Sequence, residues 1–402
     1  MAKPVANRAR QRNCICATAG IEAARRARMT RMRQCVVLLA TLTGCGLSNG
    51  SDGYCEDLQP LESSGDVSGV IRTGYHFRAY GMSIASLSSG RVVVPTCSDL
   101  ATLDAFGQPS TRIQTGQSLY VATGADDTIY ATTRERHLIA AAPDGTIRWN
   151  IDLPGVEGVV PSADAIYGER TDFAGADGRP ATSSLLAVDP ATGGVRTISS
   201  AQPYASAPHL IGAGPAGGVV TAHETEAAVT VRHLDADGTP RWTLTATATE
   251  PRIRGAAPTD HGVILFGDAG SSIAIGDFTI TGTPGHFLHF VLAADDHGVV
   301  QWGYAVDATL VSVAVAHNGD ALLGATDFAD SSILVARPTG IAKTIAITGD
   351  GDQYLLGVAP ASDGRAWVQF SSFDHDDLSP ARAQLGSKTF TETGDYLFEL
   401  QL

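Results

Sequence analysis

Lysine is scarce in this sequence. Only three of the 402 residues are lysine, and two of them, Lys343 and Lys388, follow residue 45. The 28 basic side chains are outnumbered by 42 acidic ones, which gives a net charge of −14. A protein this acidic repels phosphate backbones, and no basic stripe is present to overcome that repulsion. The composition therefore argues against a nucleic acid partner.

Several chemical motifs are missing as well. After residue 45 the chain has no adjacent cysteine pair and no Cys-x-x-Cys-His sequence for covalent haem attachment. It has no Gly-x-Ser-x-Gly sequence, the turn that carries the nucleophile of α/β-hydrolases. Helical periodicity is nearly absent. These absences favour an all-β protein without a recognisable catalytic constellation, and no catalytic residue is assigned.

The sequence does contain the features of an export signal. Five arginines between residues 25 and 33 precede the apolar run Val36–Leu42. This run is shorter than the roughly 20 residues that a transmembrane helix needs, and it has the length of a secretory h-region. Leu42-Thr43-Gly44-Cys45 closes the run and resembles the lipobox of bacterial lipoproteins. The resemblance implies that residues 1–44 are a leader and that Cys45 carries the lipid.

An ordinary cleaved signal, in which Cys45 is incidental, is the alternative. A start at Met29 or Met32 suits the leader better than a start at Met1, because no apolar run accompanies the earlier arginines. The lipoprotein resemblance implies a location in the cell envelope, where acyl chains would hold the protein on a membrane. In lipoproteins of enteric bacteria, an aspartate directly after the lipidated cysteine retains the protein in the inner membrane. The resemblance therefore implies the outer membrane here, because Gly46 stands at that position.

Removal of the leader would leave 19 basic and 41 acidic residues, a net charge of −22. Residues 45–68 are rich in Ser, Gly, Asp and Glu, which predicts a flexible tether. Cys55 and Cys97 are the cysteines that remain beside Cys45. An oxidising compartment permits a disulfide between them, and two free thiols are the alternative.

Residues 69–402 repeat one pattern, a small turn followed by a β-forming run. Seven such starts occur, at Gly90, Asp127, Asp164, Gly218, Gly262, Gly319 and Gly364. Their spacings of 37, 37, 54, 44, 57 and 45 residues suit four-stranded sheets with loops of varying length. We therefore predict an all-β fold, a β-propeller of seven four-stranded blades, with six or eight as the other counts. An array of β-sandwiches is the alternative architecture.

A second pattern lies between most of these starts. An apolar strand ends in an acidic turn with glycine, and the next strand carries a tryptophan, most clearly at 138–149, 231–242 and 290–302. Asp-Gly turns supply the positive φ of tight hairpins, and tryptophan can fill the space between adjacent sheets. The pattern assigns structural roles in the blades to Gly145, Gly238, Gly298, Trp149, Trp242 and Trp302.

The acidic turn followed by tryptophan resembles the repeat of quinoprotein-type propellers. Residues 267–302 are similar to the β-propeller repeats of myxobacterial and related secreted lipoproteins, with Gly276–Thr281 and Phe290–Trp302 as the matching strands. Thr389–Leu400 resembles the same strand pair. The resemblance implies an architecture and no activity, because propellers host many functions. Quinoprotein enzymes hold their cofactor over a calcium ion and often use a vicinal disulfide, which this chain lacks, so no cofactor is predicted.

The remaining polar clusters predict no metal site. Residues 349–352 and 374–377 are acidic, but neither continues into the spacing of a calcium loop, which favours solvated turns. The sequence therefore favours a non-catalytic scaffold, anchored through its lipid, that binds an envelope protein or a glycan. Its plan is similar to that of the lipoprotein scaffold of the outer-membrane barrel assembly machine. The alternative is an envelope hydrolase or lyase with carboxylates in the propeller funnel.

Overall fold

The computed structural model describes residues 56–60, 67–74, 84–96, 99–104, 106–116, 118–173, 180–327, 330–349, 352–361, 364–373, 383–385, 388–390 and 394–402. All of them belong to one compact unit, Asp52–Leu402. The leader, the lipidation site Cys45 and both cysteines of the disulfide prediction, Cys55 and Cys97, lie outside the described residues. The acidic cluster at 374–377 lies outside them too. These assignments stay predictions.

Seven antiparallel sheets form the seven blades of a β-propeller. The first two strands of the chain, β1 (Glu56–Pro60) and β2 (Val67–Gly74), belong to the last blade. Blade 1 contains β3 (Ala85–Ser86), β4 (Val92–Pro95), β5 (Leu100–Leu103) and β6 (Pro109–Ile113). Blade 2 contains β7 (Ser118–Thr123), β8 (Ile129–Thr133), β9 (His137–Ala141) and β10 (Ile147–Asp152). Blade 3 contains β11 (Val156–Pro161), β12 (Ile166–Asp172), β13 (Thr182–Val188) and β14 (Val195–Pro203), and a single 3-10 turn, Tyr204–Ser206, follows it.

The next two blades are built in the same way. Blade 4 contains β15 (His209–Ala213), β16 (Val219–Glu224), β17 (Ala228–Leu234) and β18 (Pro240–Ala248). Blade 5 contains β19 (Arg252–Thr259), β20 (Gly262–Ala269), β23 (Leu288–Asp295) and β24 (Val300–Val306). Between its second and third strands blade 5 carries an additional hairpin of β21 (Ser272–Ile275) and β22 (Phe278–Thr281), which extends the sheet of blade 4.

The last two blades are related in the same way, because a hairpin of blade 7 extends the sheet of blade 6. Blade 6 contains β25 (Thr309–Val315), β26 (Ala321–Asp327), β27 (Asp330–Arg337) and β28 (Gly340–Gly349). Blade 7 contains β29 (Asp352–Pro360), β30 (Arg365–Phe373) and β33 (Gly394–Gln401). Its hairpin of β31 (Ala383–Leu385) and β32 (Lys388–Phe390) extends the sheet of blade 6.

Strands from both ends of the described chain close the ring. In blade 7 the sheet order from the inside outward is β29, β30, β33, β2, β1. Strand β2 pairs with β33 in antiparallel register, with Ile71 opposite Leu397. The innermost strands contact one another in succession around the ring, and β29 contacts β3. The boundary predicted at residue 68 therefore falls inside β2, and β1 lies within the segment predicted as a tether.

The predicted count of seven blades is confirmed, and the seven starts occupy the same position in every blade. Each of the seven starts lies at, or within two residues of, the beginning of a second strand, namely β4, β8, β12, β16, β20, β26 and β30. The acidic turns with glycine join third to fourth strands, as between β9 and β10. The pattern could be read from sequence because turn residues and β-forming runs are local signals.

The core lies between the blades. Strand β20 shows why a second strand carries an apolar run: Val263 and Leu265 pack towards blade 4, whereas Ile264 and Phe266 pack towards blade 6. Successive side chains of a strand point to opposite faces, and both faces of a blade are covered by neighbouring blades. All four side chains are at most 3% exposed.

The additional hairpins fill the outer gap between neighbouring blades. In the hairpin β21–β22, Ile280 is 4% exposed and its Cδ1 would lie 3.0 Å from a methyl group placed on Gly303 of β24. In the hairpin β31–β32, Phe390 packs on an aromatic cluster of blade 7, with its ring 5.1 Å from that of Phe370 and 4.7 Å from that of Tyr396. Each hairpin thus adds a hydrophobic wedge to the ring.

The two ends of the propeller differ in their connections. Turns between first and second strands, and between third and fourth strands, lie at one end, which we name the turn face. Connections between second and third strands, and between successive blades, lie at the other end, the loop face. Within the described part of the chain, no helix is long and apolar enough to cross a membrane.

Candidate functional site

Three outer strands carry tryptophan at an equivalent position. Trp149 of β10, Trp242 of β18 and Trp302 of β24 pair with Ala140, His233 and Ala293 of the adjoining third strands. In each blade the register shifts directly before the tryptophan, which marks a β-bulge. The three indoles therefore leave their strands at the same position and with the same local backbone geometry.

Two of these indoles are covered by the next blade. Trp149 Nε1 donates a hydrogen bond to the Pro190 carbonyl oxygen at 2.9 Å, in the third-to-fourth turn of blade 3. Trp242 is 6% exposed, and a methyl group on Gly298 in the corresponding turn of blade 5 would lie 3.0 Å from its Cδ2. The turn of one blade thus packs on the tryptophan of the preceding blade.

Gly145 and Gly238 lie at the same position of their turns, but each faces a residue smaller than tryptophan in the preceding blade. A methyl group on Gly145 would lie 3.1 Å from Thr111 Cγ2 of blade 1, and one on Gly238 would lie 3.0 Å from the Ile198 carbonyl oxygen of blade 3. Both glycines have positive φ, 92° and 88°. A side chain would be strained by the backbone and would collide with the neighbouring blade.

The junction between blades 5 and 6 departs from this arrangement. The third-to-fourth turn of blade 6 is shortened, so that Arg337 pairs directly with Gly340. A methyl group on Gly340 would meet no described atom within 4 Å. Tyr304, two residues after Trp302, reaches this turn instead and donates its hydroxyl hydrogen to the Arg337 carbonyl oxygen at 3.1 Å. The short turn therefore leaves Trp302 without the cover that Trp149 and Trp242 have.

Trp302 lines a cleft of about 750 Å³ on the turn face between blades 5 and 6. The ring of Tyr304 stacks on the indole, with centroids 5.7 Å apart and planes 17° from parallel. Trp302 is half-buried, and among the described residues its indole N–H has no hydrogen-bond acceptor. The buried part of the lining is apolar and consists of Ile264, Ala293, Ala294, Ala316 and Ala336. The exposed part includes Pro258, Asp260, His261, Gln301, His317, Asn318 and Pro338.

Carboxylates hold the turns at the edge of this cleft. Asp295 Oδ1 accepts the backbone N–H groups of His297 and Val299 at 3.0 and 2.9 Å. Its Oδ2 accepts a hydrogen bond from Gln301 Nε2 at 2.9 Å. These donors are neutral, so the charge of the Asp295 carboxylate is stabilised by dipoles without being cancelled.

A second carboxylate pairs with Arg337, the residue before Pro338 of the lining. Arg337 binds Asp320 through two hydrogen bonds, Nε to Oδ1 at 2.8 Å and Nη2 to Oδ2 at 2.7 Å. The bond to Arg337 lowers the pKa of Asp320 below its ordinary value, and burial only partly opposes this. Asp260, in contrast, has no hydrogen bond or ion pair with any described residue. The cleft is therefore acidic at its edge and apolar inside.

A different polar cluster joins blades 3 and 4 near the loop face. Glu169 Oε1 accepts hydrogen bonds from Ser183 Oγ at 2.8 Å and from His209 Nδ1 at 2.9 Å. Its Oε2 accepts the backbone N–H of Leu210 at 3.0 Å. Burial raises the pKa of Glu169, but these bonds and the charge of His209 outweigh it and lower that pKa below its ordinary value. The bond to Glu169 raises the pKa of His209.

The cluster continues to blade 5 through Glu224. Its Oε1 accepts the backbone N–H of Ile253 at 3.2 Å. Burial raises the pKa of Glu224, which the Ile253 N–H and the charges of Arg252 and Arg254 only partly offset. Arg254 in turn donates to both carboxylate oxygens of Asp268, at 2.6 and 3.2 Å. In the described ranges no three His, Cys, Asp or Glu side chains are grouped as metal ligands would be.

The sequence assigned Trp302 a structural role in its blade and did not indicate the cleft. Asp260, His261 and His317 lie in turns after first strands, where polar residues are ordinary. A signal was available in the weakest copy of the second pattern, which reads Pro338-Thr339-Gly340 and lacks the acidic residue of the other turns. Whether a shortened turn uncovers a neighbouring side chain depends on contacts between blades.

Comparison with known proteins supports the fold and no more. No protein-family model and no curated protein matches the chain. A chain in the crystal structure of the mitotic checkpoint complex is 12% identical with a TM-score of 0.54, over 90% of this chain and 99% of that one. BamB from Moraxella catarrhalis is 15% identical with a TM-score of 0.45, over 86% and 100%. The WD40 domain of Pan2 from Neurospora crassa is 12% identical with a TM-score of 0.45, over 79% and 88%.

Likeness at such low identity shows architecture alone, since propellers serve many functions. The chain is an all-β, seven-bladed β-propeller with four-stranded blades.

Proposed function

We propose that this protein is a non-catalytic scaffold that binds a partner protein in the cleft between blades 5 and 6. The observation that carries the proposal is the half-buried indole of Trp302, on which the third-to-fourth turn of blade 6 does not pack, in a cleft of about 750 Å³. Clefts of roughly 300–1,000 Å³ with an apolar lining and a few polar groups are typical sites for small ligands, and the same features suit single side chains of a partner. Tryptophan is enriched among the residues that dominate binding energy at protein interfaces.

A protein fits this cleft better than a glycan does. The buried lining is Ile264 and four alanines, whose side chains offer no hydrogen-bond donor or acceptor. A sugar carries hydroxyl groups around its ring, and each hydroxyl that loses water without a new partner costs free energy. Apolar side chains of a peptide segment lose no such bonds.

The location of the scaffold rests on the lipobox-like sequence. Lipid on Cys45 would anchor the protein in the cell envelope, in the outer membrane by virtue of Gly46, and residues between Cys45 and β1 would act as the tether. The strongly acidic propeller would not be drawn to an anionic membrane surface, which leaves the turn face free for a partner. A disulfide between Cys55 and Cys97 remains part of the proposal.

The test is partner capture by the full-length protein from envelope extract, with the bound proteins identified by mass spectrometry. Trp302→Ala is compared with Ile147→Ala, which truncates another exposed apolar residue at a blade edge of the turn face, 44% exposed in blade 2. We expect a set of proteins that Trp302→Ala loses and Ile147→Ala keeps.

A second variant separates a loss of binding from a loss of folding. His317→Trp adds bulk at an exposed position of the cleft and leaves the core intact. It should also abolish capture while thermal unfolding stays unchanged. Identical capture by wild type and both cleft variants would reject the proposal, and capture of carbohydrate in place of protein would assign the cleft to a glycan.

The cluster near the loop face favours a second candidate, an envelope hydrolase or lyase. Burial raises the pKa of Glu224 above its ordinary value. Burial also acts to raise the pKa of Glu169, but the hydrogen bonds to its carboxylate lower that pKa on balance. The charge of His209 acts to lower both pKa values. Two carboxyl groups with separated pKa values can serve as acid and base. A panel of envelope glycans, with Glu224→Gln and Glu169→Gln as variants, tests this candidate. It fails if no substrate is turned over, or if turnover is unchanged in both variants.

A further inference from the structure

The cleft between blades 5 and 6 has an unbalanced charge. Asp260 is exposed in its lining and is bound by no described residue. Asp295 is bound only by neutral donors in the described part of the chain. The arginine beside the lining, Arg337, is already paired with Asp320. Two carboxylates of the cleft therefore lack a cation.

An aromatic ring lies in the same cleft. Tyr304 stacks on the Trp302 indole, and the remainder of the indole contributes to the lining. Among aromatic side chains, tryptophan attracts a cation most strongly, and the attraction grows as the cation loses water. The free indole N–H can also donate to a peptide carbonyl oxygen, as that of Trp149 does to Pro190.

From these groups together, and resting on the scaffold function proposed above, we infer that the cleft selects a positively charged segment of its partner. A lysine or arginine side chain of that segment lies against Trp302, with its charged end near Asp260 and Asp295. The long aliphatic stems of these side chains suit the apolar lining, since such stems pack on apolar surface while the charge stays hydrated. Acidic segments are repelled by the two carboxylates and by the net charge of −14.

The experiment measures the binding of four blocked peptides to the full-length protein by isothermal titration calorimetry. The peptides have the sequence acetyl-Gly-Pro-Xaa-Ala-Gly-amide, in which Xaa is arginine, lysine, glutamine or glutamate. We expect the arginine and lysine peptides to bind about tenfold more tightly than the glutamine peptide, with no binding of the glutamate peptide. High salt should reduce this preference, because the carboxylates are exposed.

Variants test whether the preference for positively charged peptides arises in the cleft. Asp260→Asn should reduce the preference for the arginine peptide several-fold, whereas Trp302→Ala should abolish binding of all peptides. Asp307→Asn is the matched control, because it removes one exposed carboxylate at the loop face between blades 5 and 6. It should leave every affinity unchanged.

The outcomes separate this inference from the proposed function. Equal, Trp302-dependent affinities for the arginine, glutamine and glutamate peptides would overturn the charge selection and leave the scaffold standing. The same holds if no peptide binds while Trp302-dependent capture of a protein persists. If capture does not depend on Trp302, both are wrong.

Discussion

Trp367 Nε1 donates a hydrogen bond to the Gly90 carbonyl oxygen at 3.1 Å, across 277 residues of sequence. Trp367 lies in β30 of blade 7 and is fully buried. Gly90 lies in the first turn of blade 1 and has a φ of 79°. The bond joins the last blade to the first, at the junction where the ring closes. It therefore supplements the pairing of β2 with β33.

Replacement of Trp367 by phenylalanine should weaken this junction. The Gly90 carbonyl would lose a buried donor, which costs about 1–3 kcal/mol. Trp149→Phe removes an equivalent bond at a partly buried site, where water can replace the donor, so its cost should be about 0.5–1.5 kcal/mol. Urea unfolding of both variants measures the difference. A larger loss for Trp149→Phe would contradict the role of Trp367 in ring closure.

The tryptophans at equivalent positions should differ in their importance for stability. Trp242→Ala removes an indole that is 6% exposed and covered by Gly298, so we expect a loss of about 3–5 kcal/mol. Trp302→Ala removes a half-buried indole beside an open cleft, and its cost should be about half as large or less. Chemical denaturation compares the two. Equal losses would show that Trp302 serves mainly as a structural plug.

The wedge formed by the hairpin β21–β22 should not tolerate a methyl group on Gly303. That group would lie 2.9 Å from Leu292 Cβ and 3.0 Å from Ile280 Cδ1. Overpacking of this kind costs about 1–3 kcal/mol. Ile280→Val removes the colliding atom, so it should restore part of the stability of Gly303→Ala although it is destabilising alone. A double-mutant cycle measures this coupling, and strict additivity would contradict it.

The Glu169–His209 pair should make stability depend on pH. The bond to Glu169 raises the pKa of His209 above 6.5, so its stabilisation is complete below that pH and is lost as the pH rises through the raised pKa. Burial raises the pKa of Glu169, but the bonds to its carboxylate bring it below 4.5, so its stabilisation is complete above that pH and is lost on acidification. The contribution of the pair should be largest between pH 4.5 and 6.5.

Denaturation midpoints measured from well below pH 4.5 to well above pH 6.5 provide the test, because the contribution of the pair falls on both sides of this range. His209→Ala should flatten the profile, because it removes the partner of Glu169. His286→Ala is the control, since His286 is exposed in the turn before β23 and its replacement should leave the profile unchanged. A profile that His209→Ala does not alter would exclude the pair as the source of the pH dependence.

The sequence by itself determined the repeat and therefore the architecture. Glycine turns such as that at Gly218, followed by apolar runs, mark the second strand of each blade because turn geometry and strand propensity depend on adjacent residues. The same local signals placed Trp149, Trp242 and Trp302 after their turns. The unusual scarcity of basic residues in the body was also visible directly.

Only the tertiary structure decided how the ring of blades closes and where a cleft lies between two blades. The pairing of β2 with β33 and the bond from Trp367 to Gly90 join residues that are far apart in sequence. The three tryptophans follow the same pattern in sequence, yet the short turn that ends at Gly340 does not pack on Trp302. Cover by a neighbouring blade is a contact between distant segments, and for that reason no local pattern predicts it.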